Sequence, residues 1–166
     1  MDILMYIAIT LAAVIGMEFI AWFSHKYIMH GFLWRWHEDH HKPHMANGFF
    51  QKNDLFFLLY AIPSAAAYMI GLAVEGYLWL FFVGVGISIY GIIYFLVHDA
   101  FIHQRFRWFN KLNTFYTRGI LRAHGAHHAK QSKEDGVSFG LLVVDKKYFK
   151  KPERKYKNLK NSEEKA

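Results

Sequence analysis

Three stretches of this chain are apolar for long enough to cross a lipid bilayer, and that limits the fold more than any other feature. Residues 3 to 23 (ILMYIAITLAAVIGMEFIAWF) contain one charged side chain, Glu18, while residues 55 to 74 (LFFLLYAIPSAAAYMIGLAV) and 77 to 97 (YLWLFFVGVGISIYGIIYFLV) differ only in having none at all in the case of the first and none again in the second. Each is about 20 residues long, roughly 30 Å as a helix, which matches the hydrocarbon thickness. The expected fold is all-α: an integral membrane helical bundle with three transmembrane helices at about 3–23, 55–74 and 77–97. A cleaved signal peptide is not expected, because the first stretch lacks a basic leader and is longer than a signal core. The hydrophobic fraction of 54% fits a core in water as well as one in lipid, so the runs decide and the total does not.

Charge sets the expected orientation. All 20 Lys and Arg residues lie between Lys26 and Lys52 or from Arg105 onward, and the Glu75-Gly76 turn and the N-terminus carry none. By the positive-inside rule the N-terminus is expected outside, with the 24–54 loop and the C-terminal third in the cytoplasm. Trp22, Trp34 and Trp36 then fall near the cytoplasmic boundary and Trp79 near the other, as interfacial belt residues do. Residues 1–150 read as a single membrane domain, and 151–166 as a basic, polar C-terminal tail, solvated or lying on anionic lipid.

Ten of the eleven histidines occur in four clusters, His25/His30, His37/His40/His41, His98/His103 and His124/His127/His128, with His44 outside them. The pattern repeats, H-x4-H followed by H-x2-H-H in each half of the chain, and the hairpin of the second and third spans returns both halves to one membrane face. A histidine-rich helical cap on the cytoplasmic side is therefore expected. On an α-helix the later two imidazoles of H-x2-H-H lie about 60° behind and 40° ahead of the first, so all three can point into one space. The two histidines of H-x4-H are about 140° apart on an ideal helix, too far to share one tetrahedral metal without a helix end or bulge. They either serve two metals or frame one site where the helix unwinds. Zinc sites use three or four protein ligands, so ten imidazoles suit two metals better than one.

Other readings compete. His37-Glu38-Asp39-His40-His41 satisfies the H-E-x-x-H pattern of zinc metalloproteases, although the matching cluster at His124 has no glutamate. A membrane haem or metal-binding protein without turnover is a further alternative. With no cysteine, the chain has neither disulfides nor cysteine-ligated clusters. Imidazole does not choose among zinc, copper, iron and nickel. Two irons, unlike two zincs, would activate dioxygen, and the substrate would be a molecule of the bilayer. Between the later clusters, Trp108, Phe109, Leu112, Phe115, Tyr116, Ile120 and Leu121 recur at helical spacing, as in an amphipathic helix at the interface or packed on the protein surface.

The stretches HKYIMHGFLWRWHEDHHKPH, QKNDLF, LVHDAFIHQRF and AHGAHHAKQSKEDGVSFG resemble the bacterial beta-carotene hydroxylase family, within the wider superfamily of fatty acid hydroxylases and sterol desaturases. The resemblance covers about residues 15 to 145 and includes all ten clustered histidines. It implies a di-iron monooxygenase that hydroxylates C3 and C3′ of the beta-ionone rings of beta-carotene, giving cryptoxanthin and then zeaxanthin. Its metal ligands would be His25, His30, His37, His40, His41, His98, His103, His124, His127 and His128. A hydroxylase or desaturase of another membrane lipid, or a carotenoid ketolase, shares the same histidines.

The cofactors implied are two non-haem irons and O₂. The chain has no G-x-G-x-x-G dinucleotide motif, so electrons are expected from an external ferredoxin and NAD(P)H system, drawn to the basic face. Expected partners are the bilayer, the carotenoid and this donor, with no nucleic acid. Metal-bound histidines donate their second N–H to a carboxylate or carbonyl, which makes Glu18, Asp39, Asp54, Asp99 and Asp135 candidates for that support. Glu18 stands out because it is inside a span and seven residues before His25, on the same face. Gly84, Gly86 and Gly91, with Ala65 to Ala67, offer small surfaces for a substrate slot or for close helix packing.

Overall fold

A computed structural model describes residues 2–42, 49–106, 108–109 and 111–150. His44 and the tail 151–166 lie outside these. Helices and turns account for the described secondary structure, with no strand among the described residues. Helix α1 (Ile3–Phe23) is capped by the Asp2 carboxylate, which accepts from the Met5 N–H at 2.9 Å. It continues into a π-helical segment, Ser24–Phe32, which is kinked at Gly31 (φ -98, ψ -124). A short helix α2 (Trp34–His37) and a 3₁₀ turn (Glu38–His41) follow. The second span combines a 3₁₀ turn (Lys52–Phe57) with α3 (Leu58–Ala73), and the third combines α4 (Leu78–Tyr94) with a second π-helical segment, Phe95–Ile102. Helix α5 (Phe115–His128) carries the last histidines.

Three helices are long and apolar enough to cross a membrane, Ile3–Phe32, Lys52–Ala73 and Leu78–Ile102, and the protein is an integral membrane protein. The first runs for 30 residues, more than the 20 or so that hydrocarbon needs, so one end projects beyond it. Apolar residues of the spans face outward, among them Ile15, Met69 and Leu72, each about 70% exposed, as expected where lipid is the solvent. Gly76, at φ +83, turns the chain between α3 and α4 in the left-handed conformation that only glycine adopts freely.

Helix α4 is the central span, with α1 on one side of it and α3 on the other. Small residues set the spacing. A Cβ on Gly86 would meet the Ala13 Cβ at 2.5 Å and the Thr10 carbonyl at 2.7 Å, and one on Gly84 would meet the Ser64 carbonyl at 3.1 Å. These two glycines therefore serve close helix packing, whereas a Cβ on Gly91 would meet nothing within 4 Å. Polar side chains tie α3 to α4: the Ser64 hydroxyl lies 3.0 Å from both the Gly84 carbonyl and the Ser88 hydroxyl, and the Tyr68 hydroxyl donates to Ser88 at 2.9 Å.

The amphipathic stretch expected from Trp108 is helical only from Phe115. Thr114 and Thr117 exchange side chain to backbone hydrogen bonds of 3.1 and 2.8 Å, and this reciprocal cap fixes the start. The helix buries Gly119, Ile120, Ala123 and His127 against the protein and leaves Phe115, Tyr116 and Leu121 exposed.

A Gly86→Val substitution is expected to push α1 from α4 and cost roughly 1–3 kcal/mol. Gly91→Ala, with open space around it, is expected to change little; thermal unfolding in detergent compares the two.

Candidate metal centre

The first H-x4-H pair lies in the first π-helical segment and the second pair spans from within the other, His98, to its C-cap, His103, and this resolves the geometric problem they pose. In a π-helix each N–H bonds to the carbonyl five residues back, which stacks residue i+5 one turn above residue i. The His103 N–H donates to the His98 carbonyl at 2.9 Å, so these two imidazoles share a face despite their α-helical separation. His25 and His30 are likewise brought together, with ring centroids 5.3 Å apart. Each pair serves one cluster.

Ligand-capable nitrogens of His25, His30, His37 and His127 lie within 4.8 Å of one another, and those of His40, His98, His103 and His124 form a second such group. His41 borders the first, its Nε2 3.2 Å from His37 Nε2. His128 borders the second, its ring 4.5 Å from that of His124 and 4.8 Å from that of His40. The H-x2-H-H motifs therefore divide. The i, i+4 pair of each motif goes to one cluster and the middle histidine crosses to the other: His40 leaves His37 and His41, and His127 leaves His124 and His128. Each cluster has four histidines from one half of the chain and one from the other, so neither half could form its site alone.

The outward nitrogens show why these rings point inward. In the first cluster the Nδ1–H groups of His25, His30, His41 and His127 donate to the backbone carbonyls of Phe139, Lys133, Lys130 and Val137 at 3.0, 3.3, 3.0 and 2.8 Å. His37 Nδ1 lies 2.6 Å from the Asn53 side-chain oxygen. Each imidazole then has its proton on Nδ1 and a bare Nε2 facing inward. Those Nε2 atoms meet in pairs, His25 with His37 at 3.1 Å and His30 with His127 at 3.2 Å. In the second cluster His40 with His98 stand at 3.1 Å and His103 with His124 at 2.9 Å, with His40 Nδ1 3.1 Å from the Gln51 side-chain oxygen. Lone pair facing lone pair is repulsive unless a cation sits between them. His128 Nε2 is buried with no hydrogen-bond partner among the described residues, which fits a metal-ligand role.

Burial, reinforced by neighbouring imidazoles, holds His37, His40, His41, His124, His127 and His128 neutral. His41 is lowered to about 4, His128 to about 3 and His127 to about 2, all mainly by desolvation, and His37, His40 and His124 lie well below 6.5 for the same reason. Neutral imidazole is the metal-binding form.

The carboxylates expected near the clusters divide. Asp99 Oδ2 lies 3.5 Å from His98 Nδ1, and Arg105 bonds both Asp99 and Asp54 at 2.9 Å. Asp54 also accepts the Gln51 N–H at 3.0 Å and so braces the residue beside His40. Asp39 accepts the Lys52 N–H at 2.6 Å, and Asp135 closes a local turn with Ser132 at 3.1 Å, away from the histidines. Glu18 bonds backbone N–H groups and Tyr90, with no histidine among its partners. Glu38 points to solvent, paired with Lys42 at 2.6 Å, which leaves the metalloprotease reading without its general base. Gln51, Asn53, Arg105 and the four carbonyls of residues 130–139 were not marked by sequence reasoning. Backbone acceptors leave no residue-type signal, and an amide or arginine looks like any loop residue.

Two openings reach the clusters. A cavity of about 400 Å³ exposes the second cluster to the polar side beside Lys42, Gln51 and Gln131. A slot of about 10 Å³ lies toward the spans, between Ala21, Met29, Tyr60, Tyr94 and Leu141, and touches His25, His98 and His124.

The fatty acid hydroxylase family matches residues 10–147, a range that takes in all ten clustered histidines. The chain belongs to the fatty acid hydroxylase family. The beta-carotene hydroxylase of Pseudescherichia vulneris is 44% identical over 140 residues, covering 83% of this chain and 76% of the relative. That of Pantoea ananas is 43% identical over 138 residues, 82% of this chain and 75% of the relative. The chloroplastic beta-carotene hydroxylase 2 of Capsicum annuum is 38% identical over 141 residues, 84% of this chain and 44% of the relative. No solved structure matches the chain.

Replacing Asn53 by Leu removes the acceptor at His37 Nδ1 and is expected to weaken metal affinity about 10–100-fold, measurable by competition with a chelator. A second expectation concerns acid. Above pH 6.5 these imidazoles are neutral whether the chain is folded or unfolded. Between 6.5 and about 4 the unfolded chain takes up protons that the folded cluster cannot, so the metal-free protein should lose stability across that window. Unfolding temperatures at pH 7.5, 6 and 5 test this, and equal values would contradict it.

Proposed function

We propose that this family member is a membrane di-iron monooxygenase that hydroxylates the beta-ionone rings of beta-carotene at C3 and C3′, giving cryptoxanthin and zeaxanthin. The observation that carries the reading is the pair of imidazole clusters whose Nε2 atoms face one another about 3 Å apart. The substrate follows from the similarity to bacterial beta-carotene hydroxylases. All ten clustered histidines would hold the metals. Bound iron would supply dioxygen activation: O₂, two electrons and two protons give one hydroxyl on the ring and one water.

The remaining work falls to the protein. The Nδ1–H bonds hold the rings of His25, His30, His37, His40, His41 and His127 in fixed orientation, and burial keeps those of His37, His40, His41, His124, His127 and His128 neutral. A carotenoid is an apolar rod dissolved in lipid, and its end ring would approach along α4, between α1 and α3, toward the slot at Tyr60 and Tyr94. The Tyr94 ring lies 4.7 Å from that of His98, which places an aromatic wall beside the second cluster. Dioxygen, water and electrons would use the larger cavity beside Lys42 and Gln131. The basic residues on that side support an acidic ferredoxin-type donor. By the positive-inside rule the N-terminus is outside and the clusters are cytoplasmic. Residues 1–150 form the oxygenase domain, with 151–166 as an appended tail.

Expression in aerobic cells that accumulate beta-carotene, with a ferredoxin donor present, tests the reading. Cryptoxanthin and zeaxanthin should appear, and His127→Ala should abolish both. Keto-carotenoids would reassign the chain to ring ketolation, and unchanged beta-carotene beside hydroxylated acyl chains would make the substrate another lipid. Ala21→Leu, which narrows the slot, should lower pigment turnover while the metal content stays that of the parent protein.

A further inference from the structure

One carboxylate inside the spanning region is fully engaged without touching either imidazole cluster. Glu18 Oε1 accepts from the backbone N–H groups of Leu141, Leu142 and Val143 at 3.1, 2.8 and 3.0 Å, and Oε2 accepts from the Tyr90 hydroxyl at 2.7 Å. Consecutive N–H groups converging on one oxygen form a concave anion site. Four donors account for a charge that would otherwise be costly in a span.

The segment held in this way is the one that orients the first cluster. Upstream of Leu141, the carbonyls of Val137 and Phe139 receive the Nδ1–H groups of His127 and His25, and those of Lys130 and Lys133 receive His41 and His30. Residues 130–143 thus make a strap, bonded along its length to four histidines and fastened at its far end by Glu18. The strap does not hold this path by local preference: Ser138, between the two carbonyls, sits at φ +58, a left-handed conformation uncommon for a residue with a side chain. Its turn is also tight, since a Cβ on Gly140 would run into the Val143 carbonyl oxygen. The second cluster is supported differently, through Gln51 beside His40 and Asp99 beside His98.

We propose that Glu18 is a positioning residue that fastens the 130–143 strap and thereby sets metal retention in the first cluster selectively. The inference rests on the two-metal reading of the clusters. Loss of Glu18 frees the N–H groups of residues 141–143, lets Phe139 and Val137 move, and releases His25 and His127 from their orientation. The second cluster keeps its own supports.

The full chain, purified in detergent, loaded anaerobically with ferrous iron and dialysed, provides the test, with metal per chain and backbone amide exchange as readouts. The parent protein should hold two metals. Glu18→Ala should hold about one, with exchange at residues 141–143 at least about tenfold faster. Gly140→Ala, which disturbs the strap with Glu18 intact, should give the same one-metal protein. Tyr90→Phe leaves the three backbone donors in place and should keep two metals. Retention of both metals by Glu18→Ala, loss of both together, or unchanged amide exchange would each overturn the inference. If Glu18→Ala fails to fold, Gly140→Ala retaining two metals has the same force. A parent protein holding fewer than two metals would instead refute the two-metal reading, and this inference with it.

Discussion

Everything in this protein depends on holding ten clustered imidazoles, most of them with Nε2 turned toward another imidazole's Nε2. That arrangement is unfavourable without a cation, because each inward nitrogen is an acceptor facing other acceptors. Hydrogen bonds at the opposite ring edge keep it in place. Four backbone carbonyls and the Asn53 amide fix the first cluster, while Gln51 and the neighbourhood of Asp99 and Arg105 serve the second. Burial supplies the other half by keeping the rings unprotonated. These outer contacts orient the rings toward a common centre, the arrangement that metal ligation uses.

The membrane and the clusters are coupled through the helices. An α-helix separates residues five apart by about 140°, so an ordinary continuation of α1 or α4 would aim the two histidines of H-x4-H in different directions. A switch to π-helical bonding at Ser24 and again at Phe95 costs regular geometry and brings each pair onto one face. The switch falls at the histidine-bearing end of each of these two long apolar helices. Chain length inside the membrane therefore sets the height of the clusters, and the helical transition sets their aim.

The spans were legible because their signal is composition over 20 residues, and α1 begins and ends at Ile3 and Phe23 as the run of apolar residues does. The grouping of histidines was legible for a related reason: H-x4-H and H-x2-H-H repeat in both halves, and a hairpin brings the halves together. The distribution of those histidines between clusters was not. Spacing shows that His37, His40 and His41 share a neighbourhood, but the crossing of His40 and His127 depends on where the opposite half lies. The start of α5 was also hidden, since Trp108 to Leu112 keep helical spacing while the Thr114–Thr117 cap decides the boundary. Glu18 was conspicuous as a lone charge in a span, yet its partners are backbone N–H groups 123 to 125 residues away, and backbone groups look alike in any sequence.

The two clusters differ in what surrounds them, and this bears on how a reaction between unlike reactants could be organised. The larger cavity, beside Lys42, Gln51 and Gln131, is lined by four histidines of the second cluster and by His41 of the first, while the strap is bonded to four histidines of the first; the narrow slot toward the spans touches histidines of both. An apolar substrate arriving from lipid and polar reactants arriving from water would therefore reach the centre from opposite sides. Separate routes keep water away from the C–H bond to be attacked and leave the rod-shaped remainder of a lipid in the bilayer where it is soluble. A site buried wholly inside the membrane would lack the polar route, and one standing free in water would lack the other. Placement at the hydrocarbon edge, fixed by the length of the spans, is what allows both.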